Sequence, residues 1–170
     1  EPSMILVTHS HFDHTEGIGK LLDEFDVPVY MHINARERVN ISEDSIHYVN
    51  DGDVLEVGDI EVEVVHTPGH IDDAVCYFID KENASDGIPK LITGDTLFVE
   101  GCGRADLSGS DVEELFESLE HLKTFPENTQ VYAGHDYGSK PVSDIAWEKK
   151  KNTYLLAQSF EEFRKLRMGK

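Results

Sequence analysis

Four apolar runs in this chain each break off into a polar loop bearing histidine or aspartate. Met4 to Val7 leads into Thr8-His9-Ser10-His11-Phe12-Asp13-His14, and a β-branched stretch ending at His66 leads into Thr67-Pro68-Gly69-His70. Lys90 to Thr93 runs into Gly94-Asp95, and Thr129 to Ala133 runs into Gly134-His135. Functional groups gather on loops at one edge of a rigid sheet, so strands that each end in a ligand-type side chain imply a common edge. The pattern predicts an α/β fold with one convergent site.

The segments between fit that architecture. The run MILV reads as a buried strand, and a helix is expected at once after it, with Asp13 and Glu16 at its start and Ile18, Leu21, Leu22 and Phe25 at helical spacing. Pro28 to His32 reads as the next strand, followed by a short helix over Ala35 to Val39 and a polar stretch. Asp53 to His66 contains two β-branched runs split by Gly58-Asp59, a hairpin signature. Ala74 to Asp80 reads as another strand. Ser110 with Glu113 has the form of a capping box, opening a helix with Val112, Leu115, Phe116, Leu119 and Leu122 on one face. Two helices, roughly Val142 to Lys151 and Ser159 to Arg167, close the chain, the second with a Ser159/Glu162 pair at its start. No repeat or linker interrupts the sequence, and residues 1–170 suit a single domain.

Composition narrows the partners. A formal charge of −19 argues against nucleic acid and anionic membrane, both of which require a basic footprint. No apolar run approaches the roughly 18 to 20 residues of a membrane helix. No basic segment followed by an apolar stretch and a cleavage site opens the chain, which makes the cytoplasm the default compartment. Two cysteines, Cys76 and Cys102, are too few for a disulfide framework, and reduced thiols are expected.

The chemistry lies in the loops. Three imidazoles and a carboxylate within His9 to His14 suit a hard-to-borderline cation such as zinc, iron or manganese. In an extended loop His9 and His11 point the same way and can grip one ion, while Asp13 and His14 can reach a second. Taken singly, His70 reads as a turn histidine, Asp95 as a cap and His135 as a loop histidine; their joint recurrence at strand ends favours ligands over local hydrogen bonding. His32, His47, His66 and His121 lack such company and are expected at core edges or on the surface.

The motifs THSHFDHTEG, TPGH, ITGDTLF and AGHD, in this order, resemble those of the metallo-β-lactamase superfamily. The resemblance implies an αββα sandwich and assigns His9, His11 and His70 to one metal, Asp13, His14 and His135 to the other, and Asp95 to both. Family members carry strands before the signature loop. This sequence reaches that loop within a few residues, so one sheet is expected to lack its N-terminal strands. The stretch GDTLFVEGCGRADL with VYAGHDYG is most similar to the glyoxalase II and persulfide dioxygenase branch. That likeness implies substrate contacts at Arg104 and Tyr137. Asp106 stands where the glutathione-binding pattern has tyrosine, and about 35 residues follow His135, fewer than the glutathione-binding region of that family.

On this resemblance the expected activity is metal-dependent hydrolysis of a thioester or similar small acyl substrate, such as a thiol conjugate. A metal-bound hydroxide would attack the acyl carbon, Asp95 would bridge the ions and Asp13 would orient the nucleophile's proton. Ser10 and Cys102 are expected to be structural rather than attacking groups. The alternative is an iron-dependent persulfide dioxygenase using His9, His70 and Asp95. A nuclease would need a basic groove that the acidic balance does not supply. A purely structural zinc site would need about four closed ligands rather than seven.

Overall fold

Alternation along the first strand shows why Met4 to Val7 is apolar throughout. Ile5 and Val7 pack with Val29, Met31 and the helix residues Ile18 and Leu22, whereas Leu6 turns the other way, towards Val49, Val62, Val64 and Tyr77. A strand covered on both faces has no polar side to offer water. The structure is a computed structural model describing residues 1–169. β1 (Ile5–Leu6) lies beside β2 (Val29–His32) and β3 (Ile46–Val49) in a three-stranded parallel sheet of order β1-β2-β3. Between β1 and β2 run α1 (Phe12–Thr15) and α2 (Ile18–Glu24).

The larger sheet contains β4 (Val54–Val57), β5 (Ile60–His66), β6 (Val75–Ile79) and β7 (Lys90–Gly94). A small hairpin, β8 (Leu97–Phe98) with β9 (Gly101–Cys102), and α3 (Val112–Leu122) precede β10 (Gln130–Ala133) and β11 (Ser143–Asp144). The strand order is β11-β10-β7-β6-β5-β4, antiparallel except for the parallel β7–β10 pair. α4 (Ile145–Lys151) and α5 (Phe160–Met168) complete the chain.

Three apolar clusters define the layers. One joins α2 to the smaller sheet, one lies between the two sheets, and one joins the larger sheet to α3 and α5 through Cys76, Leu91, Leu115, Leu119, Leu122 and Phe163. This is the expected αββα sandwich. Each fully buried leucine of α3 contributes about 2 kcal/mol of burial free energy. The sheets are also stitched by polar contacts: Tyr77 Oη donates to the Val7 carbonyl at 2.9 Å, and the Val75 N–H donates to the Thr8 carbonyl at 2.8 Å. Beyond β1 the larger sheet's inner face is open, and Ile79, Ile92 and Tyr132 line a shallow apolar groove there.

Several sequence expectations are corrected. The helix expected after β1 is split at Glu16 and Gly17, and its N-cap is His11 rather than Asp13, which sits inside the first turn. The helix expected over Ala35 to Val39 is a single 3-10 turn, Ile33–Ala35, ended by Glu37 in a left-handed conformation at φ 66°. The polar stretch after it contains β3. Asp111, not Ser110, caps α3, accepting from the N–H groups of Glu113 and Glu114. Val142 to Asp144 is not helical: Ser143 and Asp144 pair with β10 before α4 begins. The Ser159 cap forms as expected, its Oγ accepting from Glu162 N–H at 3.2 Å.

The β8–β9 hairpin is braced from α4. The fully buried Glu148 accepts from Glu100 N–H (2.8 Å) and Asn152 Nδ2 (2.9 Å), and Asn152 Nδ2 also donates to the Gly101 carbonyl (2.9 Å). Among the described residues, no helix is long and apolar enough to cross a membrane.

Candidate metal centre

Seven side chains from four loops converge between the ends of the two sheets. The smaller sheet supplies His9, His11, Asp13 and His14 after β1; the larger supplies His70, Asp95 and His135 after β5, β7 and β10. The first loop is held by a buried carboxylate. The Ser10 N–H donates to Asp73 Oδ1 at 3.1 Å, and Asp73 Oδ2 in turn accepts from Arg38 Nη1 at 3.0 Å. Arg38 is further fixed by a two-pronged pair with Asp72. With Ser10 pinned, His9 and His11 project towards the centre.

The His70 loop is clamped by α3. Ser110 Oγ donates to the His70 carbonyl and Ser118 Oγ to the Pro68 carbonyl, each at 2.7 Å, and the Asp111 N–H donates to the Gly69 carbonyl at 2.9 Å. Gly69 has φ 126°, and a Cβ there would collide with the Leu115 backbone, so only glycine lets the loop lie on the helix. His70 Nδ1 donates to the Arg104 carbonyl at 2.9 Å, which fixes the tautomer and leaves Nε2 with a lone pair for the centre.

The donor atoms are within reach of shared ions. His11 Nδ1 and His70 Nε2 are 2.9 Å apart, and His14 Nε2 and His135 Nε2 are 3.2 Å apart. Asp95 stands between the groups: its Oδ1 is 3.2 Å from His14 Nε2, and its Oδ2 is 3.4 Å from His135 Nε2 and 3.7 Å from His70 Nε2. Asp13 Oδ2 lies 3.4 Å from His135 Nε2. Three sets, His9/His11/His70, His9/His14/Asp95 and Asp13/His14/His135, each have their donor atoms within 4.8 Å of one another.

Two buried atoms test whether a cation fits. His9 Nε2 and Asp95 Oδ1 are buried without a hydrogen-bond partner, the nearest approach to Asp95 Oδ1 being the charge contact with His14 Nε2 at 3.2 Å. Buried polar atoms are normally satisfied, and orphaned nitrogen and carboxylate donors that face one another suit a metal ion. Burial pushes the His9 pKa down to about 2, reinforced by the His14 imidazole, so His9 is neutral and its nitrogen available. Burial also lowers the pKa of His70. The Asp95 carboxylate raises that of His14. For Asp95 itself burial opposes ionisation, but His14, His9 and His135 outweigh it and hold the carboxyl below its usual range.

A cavity of about 310 Å³ opens over five of these side chains, His11, Asp13, His70, Asp95 and His135, and is lined also by Phe12, Phe98, Arg104, Leu107 and Tyr137. Tyr137 stacks on His135 with ring centroids 4.8 Å apart and planes 7° apart. Arg104 reaches the rim, where its guanidinium is paired with Asp106. Sequence reasoning missed Asp73, Phe12 and Phe98. The adjacent pair Asp72-Asp73 two residues beyond His70 was the available signal for the first; nothing in the sequence marked the aromatic walls.

The other histidines do local work. His32 stacks on His66 at 4.0 Å, His47 on Tyr30 at 5.1 Å, and His121 meets Phe125 edge-on. Cys76 and Cys102 are buried free thiols whose pKa values burial pushes up to about 12, which leaves them protonated and poorly nucleophilic.

Comparison with known proteins agrees with this fold. A hydroxyacylglutathione hydrolase of Hahella chejuensis is 40% identical over 134 residues, covering 78% of this chain but only 48% of that protein. The crystal structure of ETHE1 from Myxococcus xanthus superposes with a TM-score of 0.82 at 34% identity, covering 98% of this chain and 68% of that one. TTHA1623, solved in a di-iron-bound form, gives a TM-score of 0.73 at 30% identity, over 91% of this chain and 78% of its own. Residues 1–135, which span every loop of the centre, match the model of one family, and the chain belongs to the metallo-beta-lactamase superfamily.

Proposed function

We propose that the chain is a metal-dependent hydrolase that cleaves a thioester or similar small acyl substrate in a glyoxalase II-like manner. His9, His11 and His70 hold one divalent transition-metal ion, Asp13, His14 and His135 a second, and Asp95 both. The donor set accepts zinc, iron or manganese. The reading treats residues 1–170 as one domain, since the donors extend from His9 to His135 across both sheets. The observation that carries it is the orphaned pair, His9 Nε2 and Asp95 Oδ1, of which Asp95 lines an open cavity and His9 is buried in the same donor cluster.

When bound, such ions lower the pKa of a coordinated water towards neutrality and polarise an acyl oxygen. The chain's own residues do the rest. Asp13, whose side chain is 60% exposed at the cavity, accepts and orients the proton of the attacking water. The aromatic walls Phe12, Phe98 and Tyr137 hold the organic part of the substrate and exclude bulk water. Arg104 lies at the mouth, where the leaving thiol departs. Water adds at the acyl carbon, the carbon–sulfur bond breaks, and the thiol leaves with a proton.

A second reading is oxygenation of a persulfide sulfur by one iron on His9, His70 and Asp95. Iron is a fitting metal for such a site, since a relative was solved with iron bound, and these residues cluster, with His70 Nε2 3.7 Å from Asp95 Oδ2 and its ring centroid 5.1 Å from that of His9. The test supplies zinc-loaded and iron-loaded protein with a glutathione thioester and a glutathione persulfide, following thiol release and oxygen uptake separately. Thiol release without oxygen uptake supports hydrolysis; oxygen uptake with iron alone supports the second reading and overturns the first.

A further inference from the structure

Arg104 is the one lysine or arginine among the described residues lining the cavity, and its charge is already engaged. Its Nε donates to Asp106 Oδ1 at 2.8 Å and its Nη2 to Asp106 Oδ2 at 2.9 Å. That two-donor edge is the one a substrate carboxylate would take, because guanidinium and carboxylate match as forks. Both side chains are about half exposed, at 60% and 49%, so the pair is screened and adds little to stability. Its consequence is electrostatic: among the described lining residues the one cation is charge-paired, and Asp13 adds a carboxylate to the same lining. The rest of the wall is apolar. Phe12 and Tyr137 are 76% and 71% exposed, unusually open for aromatic residues, and Phe98 and Leu107 continue the surface between the rim and the donors.

We propose that the Arg104–Asp106 pair selects thioesters whose thiol portion is uncharged and apolar, with Asp106 the specificity-determining residue. This rests on the hydrolase reading and names its substrate class. Asp106 occupies the guanidinium edge that a carboxylate of an anionic thiol would need, and the exposed rings of Phe12 and Tyr137 receive an uncharged chain in its place. Freeing the guanidinium converts the rim into a carboxylate trap, and the gain should shrink with salt, because a half-exposed charge pair is screened within a Debye length of about 10 Å at 0.1 M.

Two non-hydrolysable thioethers with the same alkyl group, S-hexylglutathione and S-hexyl-N-acetylcysteamine, separate binding from turnover. Calorimetric titration of the zinc-loaded protein is expected to show tighter binding of the neutral probe. In Asp106→Asn the ratio of the two Kd values should move up to about fivefold towards the glutathione probe at low salt, the upper range for an exposed charge pair, and the shift should fade at high salt. Adding Arg104→Gln to that variant should cancel the shift, which a general loosening of the fold would not do. Preference of the unmodified protein for the glutathione probe, failure of either probe to bind, or an unchanged ratio in Asp106→Asn overturns the proposal. The hydrolase reading is judged apart from this, by thiol release from the corresponding thioesters.

Discussion

The backbone N–H of Ser10 donates to the carboxylate of Asp73, joining the loop that carries His9 and His11 to the loop that carries His70. Asp73 is 1% exposed, and Arg38 shares it, so one buried side chain sets the separation between donors from the two sheets. Replacing it leaves the Ser10 N–H without its acceptor.

Asp73→Ala is therefore expected to lower metal affinity by about 10- to 100-fold, the usual effect of removing a group that orients ligands. It should also cost about 1–3 kcal/mol of stability through the orphaned donor. Metal titration and urea denaturation of the metal-free protein measure the two effects separately. Unchanged metal affinity would contradict the positioning role.

Asp95 faces both halves of the centre, whereas Asp13 approaches only His14 and His135. Asp95→Ala should reduce the metal content below one ion per chain and abolish thiol release. Asp13→Ala should retain one ion and part of the activity. Elemental analysis beside the rate measurement checks this, and equal losses in the two variants would remove the bridging assignment.

His32 gives the metal-free fold a pH dependence of its own. Burial, helped by the neighbouring His66 ring, lowers its pKa from 6.5 to about 4. Between those values the unfolded chain binds a proton that the folded chain does not, so stability linked to His32 is complete above pH 6.5 and lost as pH falls through 4. The loss amounts to at most ~3 kcal/mol. Denaturation curves from pH 7 to 4 should show a shallower decline in His32→Phe, which keeps a ring against His66 and has nothing to titrate.

Gly134 lies where a methyl group would meet Asp95 Oδ1 at 2.6 Å and His14 Cε1 at 2.9 Å. Gly134→Ala should displace donors without opening the core, so that metal affinity falls at least about tenfold while the unfolding midpoint of the metal-free protein moves little. A large stability loss with normal metal binding would reverse that reasoning.

Much of the candidate site was legible because its metal-binding side chains would follow strands, and strands announce themselves by β-branched composition and by turns such as Gly58-Asp59. All seven donors expected from the four motifs come together. The misplaced helix starts share a physical cause: Ser, Asp and Glu satisfy backbone donors in several ways, and tertiary contacts choose among them. Ser110 had the right spacing to cap α3, yet its hydroxyl is taken by the His70 carbonyl, and Asp111 caps in its place. β3 was hidden because only Ile46 and Val49 of its four residues are plainly apolar: His47 is exposed, and Tyr48 packs beside Ile46 with its hydroxyl directed to Glu43. The β8–β9 hairpin was hidden because two-residue strands leave no periodicity to read. Arg104 was identified as a substrate contact, but its partner depends on how the chain turns between Arg104 and Asp106, which residue types do not specify.

The candidate donors straddle the seam between the sheets, with Asp13 and His14 after the first strand and His135 after the tenth. An ion held by these three would close most of the chain into a loop, as a covalent staple between distant positions would, and take from the unfolded ensemble the freedom of everything enclosed. For this protein a chelator should act as a reductant does on a cross-linked secreted domain, loosening the architecture as well as silencing the chemistry.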